Sequence, residues 1–297
     1  MTDWLIATPA WGERCVDHFV NTVAPAIKFA ASRISGRLRF IVHTDSPARI
    51  DAALGVFGRQ LLPVPPGVTP HHSLGAAHRG AIASTALGEA IAFINADMVP
   101  SIECFAAAEA RFQQGKRLVM TAGTRTLSTE RPPIGSSARG LLSWAWQHRH
   151  PWIVGCTWGE GRTNLPSLLH FRSGGNVVLR GFHLHPFAVL KEKDFGFRRD
   201  TIDHDLMDAF SKDEIHVVTD ADELGFAEMS PRERDFGYGR TISVQSIAAW
   251  ATRGASPTHR WLFQHRIVLA GKPGDEIGDT AICRQILAQL DGSAPQR

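Results

Sequence analysis

Ala90-Ile91-Ala92-Phe93-Ile94-Asn95-Ala96-Asp97 decides how this chain reads. Five apolar residues in a row, too few for a helix of ordinary length, form the pattern of a strand buried on both faces. The run passes directly into an amide and an acid, which places Asn95 and Asp97 at the rim of a sheet. In open α/β sheets that rim, beyond the carboxyl ends of the strands, is where ligands bind.

Working outward, the same alternation repeats. Upstream, Ser73 to about Leu87 has helical spacing; downstream, Ser101 caps a helix ending near Gly115, and Arg117–Thr121 is another strand. Nearer the N-terminus, Trp4–Ala7 is a strand that closes on Thr8-Pro9-Ala10. Val16, Phe19, Val20, Val23 and Ile27 then recur at helical spacing, with Gly36 as the stop. Leu38–Val42 is a second strand running into Asp45, and Ser46-Pro47 reads as an N-cap with proline at the first helical position. Gln60–Val64 is a third, where the proline marks a strand end or an edge.

Strand–helix alternation of this kind predicts an α/β/α sandwich with a mixed, mainly parallel sheet. Residues 123–170 read as a long irregular segment carrying Trp144, Trp146, Trp152 and Trp158, and Gly159-Glu160-Gly161-Arg162 as a mobile loop. Strand pattern returns at Asn176–Leu179 and Ile215–Val218. From about Gly239 it is helical, which suggests a core over 1–235 and a C-terminal helical extension over 236–297.

Bulk properties narrow the classes. With 297 residues the chain is long enough for a substantial core. No apolar run approaches the roughly 18 residues of a membrane span. The opening MTDWLIATPAWGER has an acid where a signal peptide carries positive charge, so the expectation is a cytoplasmic protein. Four cysteines without a CxxC pair fit reduced thiols better than a disulfide framework or zinc knuckle. A net charge of +3 decides nothing about partners by itself, but no Lys/Arg block forms a nucleic-acid stripe, so the expectation is no nucleic-acid partner.

The rim residues Thr8, Asp45, Asn95 and Asp97 suit a diphosphate-bound Mn²⁺ or Mg²⁺, which needs only one or two protein carboxylates. The plain alternative for Asp97 is a loop carboxylate or an N-cap before Pro100-Ser101. His183-Leu184-His185-Pro186 has two histidines on one face if the segment is extended; they then share a metal, bracket a phosphate, or simply shape the turn before proline. Asp203-His204-Asp205 opens a helix, where acids serve as caps or as a general base.

The series WLIATPAWG, FIVHTD, HRGAIASTALGEAIAFINADMVPS and SGGNVVLRGFHLHP, over roughly residues 3–220, resembles the nucleotide-binding half of a GT-A-fold glycosyltransferase. The resemblance implies transfer of a sugar from a nucleoside diphosphate sugar, UDP-sugar favoured and GDP-sugar possible, to an unidentified acceptor hydroxyl. It implies Thr8, Pro9, Ala10, Asp45, Asn95 and Ala96 against the donor, Arg79 on the diphosphate, and Asp97 on the metal. It also implies Asp203 or Asp205 as the base, the backbone of Gly174, Gly175 and Asn176 beside donor sugar and acceptor, and a C-terminal histidine, His259 or His265, as a further metal ligand beside His185. The departure is Asn95, which stands where a D-x-D motif has its first acid. That substitution keeps open a non-catalytic nucleotide-binding module. A nucleotidyltransferase is disfavoured, since Thr8-Pro9-Ala10-Trp11-Gly12 has a single glycine.

Overall fold

A computed structural model describes residues 2–67, 69–160, 162–163, 167–231, 240–272 and 277–292. Gly161 of the expected mobile loop, and the 235/236 boundary, lie outside the described residues. Strands β1 (Trp4–Pro9), β2 (Leu38–His43), β3 (Gly58–Leu62), β4 (Ala90–Phe93), β5 (Met98–Pro100), β6 (Leu118–Thr121), β7 (Gly123–Leu127) and β8 (Arg162–Thr163) come first. They are followed by β9 (Leu168–Ser173), β10 (Asn176–Gly181), β11 (His185–Leu190), β12 (Ile215–Val217), β13 (Phe226–Ser230), β14 (Arg240–Thr241) and β15 (Ile267–Ala270). The α-helices are α1 (Glu13–His18), α2 (Ala24–Ala31), α3 (Pro47–Leu54), α4 (Pro70–Ser84), α5 (Cys104–Gln113), α6 (Ala138–Gln147), α7 (Pro151–Gly155), α8 (Ile202–Asp205), α9 (Val244–Gly254), α10 (Pro257–Phe263) and α11 (Asp279–Gly292).

The main sheet has seven strands in the order β12-β6-β11-β4-β1-β2-β3. β4, β1, β2 and β3 run parallel, β12 is parallel to β6, and β11 lies antiparallel between β4 and β6. The fold is therefore the expected mixed, mainly parallel α/β sandwich. Period-two alternation makes each central strand feed two cores. Trp4, Ile6, Phe40, Val42 and Ala92 join the core under α1, α2, α3 and α5, while Leu5, Ala7, Ile41, Ile91 and Phe93 join the one containing Ala81 and Ile82 of α4. Both faces being covered explains why β1 and β4 read as unbroken apolar runs.

Local details depart from sequence expectation for identifiable reasons. The first helix is joined by a π turn over Phe19–Val23, next to Pro25, which has no N–H to give to a regular helical ladder. Ser46 stands at the N-cap of α3, but its hydroxyl goes to Asp45 Oδ1 at 3.2 Å instead of to the helix. Ser101 likewise does not cap α5; its Oγ accepts from Gly225 N at 3.3 Å. The segment over 123–170 is more ordered than its composition suggests, since it holds β7, α6 and α7, with Leu141, Leu142 and Ala145 of α6 buried. Among the described residues from 240 on, the chain holds α9, α10 and α11 together with β14, which pairs with β8, and β15, which pairs with β10. Among the described residues no helix is long and apolar enough to cross a membrane.

Candidate active site

The chain leaves β1 toward β2 and β3 on one side and returns as β4 on the other, so β1/β4 is the topological switch point of the sheet. Beyond the carboxyl ends of these two strands opens a cleft of about 690 Å³, a size that suits a small-molecule ligand.

Two backbone contacts fix the turn after β4. Met98 N–H donates to Asn95 O at 3.0 Å, which closes the turn, and Met229 N–H of β13 donates to Asp97 O at 2.8 Å. Asn95, Ala96 and Asp97 all line the cleft, with Asn95 and Asp97 half-buried. Asn95 Oδ1 is buried, with the buried His78 ring of α4 within reach of its side chain. Pro9 also lines the cleft, whereas Thr8 and Ala10 are buried behind it, Ala10 N–H donating to His43 O at 2.9 Å.

The cleft also receives Asp203 and His185. His185 Nδ1 lies 3.2 Å from Asp203 Oδ1 and His185 Nε2 lies 2.8 Å from the Phe93 carbonyl oxygen. A carbonyl only accepts, so Nε2 carries a proton, and a proton on Nδ1 as well makes the ring a cation facing a carboxylate. Burial works against the charged form of His185, yet the hydrogen bond and charge of Asp203 outweigh it and raise its pKa. Burial likewise pushes Asp203 up, and the His185 hydrogen bond and charge pull it below its ordinary value. With both ring nitrogens engaged, His185 offers no free lone pair to a metal.

The pair His183/His185 does not share a strand face. His183 lies in a bend before β11 and His185 is its first residue, although both reach the cleft. Asp205, the other base candidate, accepts from the Arg198 and Arg199 backbone N–H groups at 2.9 and 3.3 Å, and is not part of the lining. Its role there is to hold the loop that precedes α8.

Several further candidates are not part of the lining. Asp45 is exposed and accepts from Gly12 N at 2.8 Å, tying the β2 loop to the one after β1. Arg79 is exposed on α4, its Nη1 3.3 Å from Arg199 O and its guanidinium 5.1 Å from the Phe197 ring centroid. Gly174, Gly175 and Asn176 form the tip of the β9–β10 hairpin, where Asn176 Oδ1 accepts from Lys272 N at 3.0 Å. Only Leu168, at the other end of β9, reaches the cleft, and at about 3.3 Å per residue the strand carries the tip roughly 17 Å away from it. His265 Nδ1 lies 3.1 Å from Trp261 O, and His259 caps α10 together with Ser256; neither lines the cleft.

Residues that sequence reasoning left out complete the walls. Trp11, Arg14 and Cys15 follow β1, and burial, then the charge of Asp97, raises the Cys15 thiol pKa. Arg125, Trp152 and Glu228 also line it, with Arg125 Nη2 3.0 Å from Glu228 Oε2 and Glu228 paired in register with Met98 beside the Asp97 turn. Arg14 is legible in principle, as the first basic residue after a rim strand. Glu228 is not, because its place depends on β13 pairing with β5 and β7. Trp144 stacks on His148, Trp158 stacks on Phe171, and Trp146 lies against His170, so of the four tryptophans in this region only Trp152 is part of the lining.

The Asp97 carboxylate and Asn95 Oδ1 are hard oxygen donors of the kind Mg²⁺ and Mn²⁺ take. Among the described residues no group of three or more His, Cys, Asp or Glu is placed to hold a metal alone. A cation here would depend on ligand oxygens as much as on the protein.

No family model matches the chain, and no curated protein matches it. Among solved structures it is similar to S. aureus TarS 1–349 in complex with UDP-GlcNAc, with 11% identity and a TM-score of 0.48, covering 99% of this chain and 73% of that one. It is similar to S. aureus TarS 1–349 crystallised on its own with 10% identity, a TM-score of 0.45 and the same coverage.

Proposed function

We propose that this chain transfers a glycosyl group from a nucleoside diphosphate sugar to an acceptor hydroxyl. The observation that carries the reading is that one cleft, at the switch point of the sheet, holds both the Asn95-Ala96-Asp97 turn and the hydrogen-bonded Asp203–His185 pair. Asp97 and Asn95 would hold a Mg²⁺ or Mn²⁺ on the donor's diphosphate, and such an ion would neutralise charge on the leaving group. Arg14, on the same wall, adds a fixed positive charge for phosphate oxygens.

Asp203 is the base. Its carboxylate is held ionised through the neutral range, so it is in the form that accepts the acceptor's hydroxyl proton while the new glycosidic bond forms. His185, anchored on the Phe93 carbonyl, sets the direction of that carboxylate and acts as a positioning residue. Thr8 and Ala10 support the rim from behind.

Calorimetric titration with UDP, GDP and CDP, each with and without Mn²⁺, tests the donor. One of the three, with UDP expected, should bind more tightly with the metal, and Asp97→Ala should remove the metal's effect. Absence of binding by all three, with or without Mn²⁺, would sink the reading. Binding by wild type with no turnover of any donor would favour the non-catalytic module that Asn95 leaves open.

A further inference from the structure

Two sides of the cleft differ in chemistry. The side built from the ends of β1 and β4 offers Arg14, Asn95 and Asp97, suited to a diphosphate and its cation. The wall around Trp152 adjoins it, with Glu228 paired in register with Met98 beside the Asp97 turn. His150 N–H donates to Arg125 O at 2.8 Å, His150 Nδ1 accepts from Trp152 N at 3.1 Å, and His150 Nε2 meets Pro231 O at 3.0 Å. These bonds fix the start of α7 and with it the indole ring. The Arg125 guanidinium lies 5.1 Å from the Trp152 ring centroid, and it is paired with Glu228, directly across from it in the β7–β13 register. β13 also supplies the Met229 N–H that holds Asp97 O, so one strand sets the spacing between this wall and the Asp97 turn.

We infer that the Trp152–Glu228 wall is an acceptor subsite for an uncharged, hydroxyl-rich molecule, a glycoside or polyol, and that it disfavours acidic acceptors. The inference rests on the glycosyl-transfer reading. An indole surface with Ile153 and Leu168 beside it packs on the C–H face of a sugar ring. A carboxylate accepts hydrogen bonds from hydroxyls and has none to give. Arg125, the cation of this wall, is compensated by Glu228, as Asp203 is by His185 and Asp200 by His72. His183 beside them is neutral, its pKa pushed down to about 3 by burial and then by neighbouring histidines. A phosphate or carboxylate on the acceptor would have to compete with Glu228 for Arg125.

The test uses the full chain with UDP-glucose and UDP-N-acetylglucosamine as donors. The acceptors are p-nitrophenyl glucoside, its 6-phosphate and p-nitrophenyl glucuronide, with UDP affinity measured in parallel. The neutral glycoside should be used in preference to both acids. Trp152→Ala should raise its KM by about ten-fold, equivalent to about 1.4 kcal/mol, with UDP affinity unchanged, and Trp152→Phe should restore most of the loss. Glu228→Gln should narrow the preference for neutral over acidic acceptor, which a purely structural role would not do. Equal use of the acids, an acceptor KM indifferent to Trp152→Ala, or UDP binding without transfer to any glycoside overturns the subsite and leaves the donor reading standing. Failure of every nucleoside diphosphate to bind removes both.

Discussion

His185 Nδ1 lies 3.2 Å from Asp203 Oδ1 while its Nε2 holds the Phe93 carbonyl at 2.8 Å, so one imidazole links the end of β4 to the start of α8. Residues 93, 185 and 203 are thereby brought to one point of the cleft, and the carboxylate is aimed by a partner that cannot rotate away. Asp203→Asn keeps the shape and removes the charge. Steady-state kinetics should show kcat lower by roughly 10²–10⁴-fold, the usual worth of a general base, with UDP affinity within about two-fold of wild type, well under 1 kcal/mol. Undiminished turnover in Asp203→Asn would rule it out as the base.

Asn95→Asp should strengthen metal-dependent binding of the nucleoside diphosphate. The substitution supplies the second carboxylate of a D-x-D pattern at a side chain that lines the cleft. Calorimetry with Mn²⁺ should show about a ten-fold tighter Kd, a gain of about 1.4 kcal/mol. Weaker binding would show that the amide itself contacts the ligand.

Stability should fall as pH drops below 6.5. Burial lowers the pKa of His78 and His183 to about 3 and of His170 to about 4, and His259 is lowered as well. Below 6.5 the unfolded chain takes up protons that these folded residues refuse, so each fully buried one contributes a slope of up to about 1.4 kcal/mol per pH unit. His185 has the opposite sign: its raised pKa stabilises the fold below 6.5, and that contribution is lost as pH rises through its folded value. Asp203, lowered, stabilises above its ordinary 3.8 and loses this as pH falls through its folded value. Urea denaturation at pH 7.5, 6 and 5 reads the net slope, and His170→Leu should flatten it by about one proton.

The C-terminal helix is held by a buried ion pair. Arg180 Nη2 lies 2.6 Å from Asp279 Oδ2, with both side chains almost fully buried, and Arg266 Nε reaches Asp279 Oδ1 at 3.1 Å. Asp279→Ala would leave Arg180 buried without its counter-charge and should destabilise by about 3–5 kcal/mol. The check is the urea midpoint, and an unchanged midpoint would mean that α11 contributes little to the cooperative unit.

Asp205→Asn should separate the two acids of the Asp203-His204-Asp205 motif. Asp205 accepts only backbone N–H groups of Arg198 and Arg199, and asparagine can still accept. Turnover should stay within about three-fold of wild type, under 1 kcal/mol of barrier. A loss comparable to that of Asp203→Asn would mean that the loop it holds takes part in catalysis.

The sheet was legible because its central strands are buried on both faces, so Trp4–Ala7, Leu38–Val42 and Ala90–Ile94 stand out as apolar runs wherever the rest of the chain goes. Asn95 and Asp97 were legible for the same reason, since a rim residue follows its strand in sequence. Short-range chemistry carried less far: Ser46 and Ser101 look like caps, but nearby groups compete for their hydroxyls.

Sequence alone determined the mainly parallel α/β sheet, the rim after β4 and Asp97 upon it, because each depends on residues adjacent in the chain. Only the tertiary structure decided which distant groups share the cleft. It separated Asp203 from Asp205, joined His185 to Phe93, brought Glu228 and Trp152 into the lining, and left Arg79, His265 and the Gly174-Gly175 turn out of it. Those outcomes follow from strand pairings and hydrogen bonds between residues up to about a hundred positions apart, which no local pattern encodes.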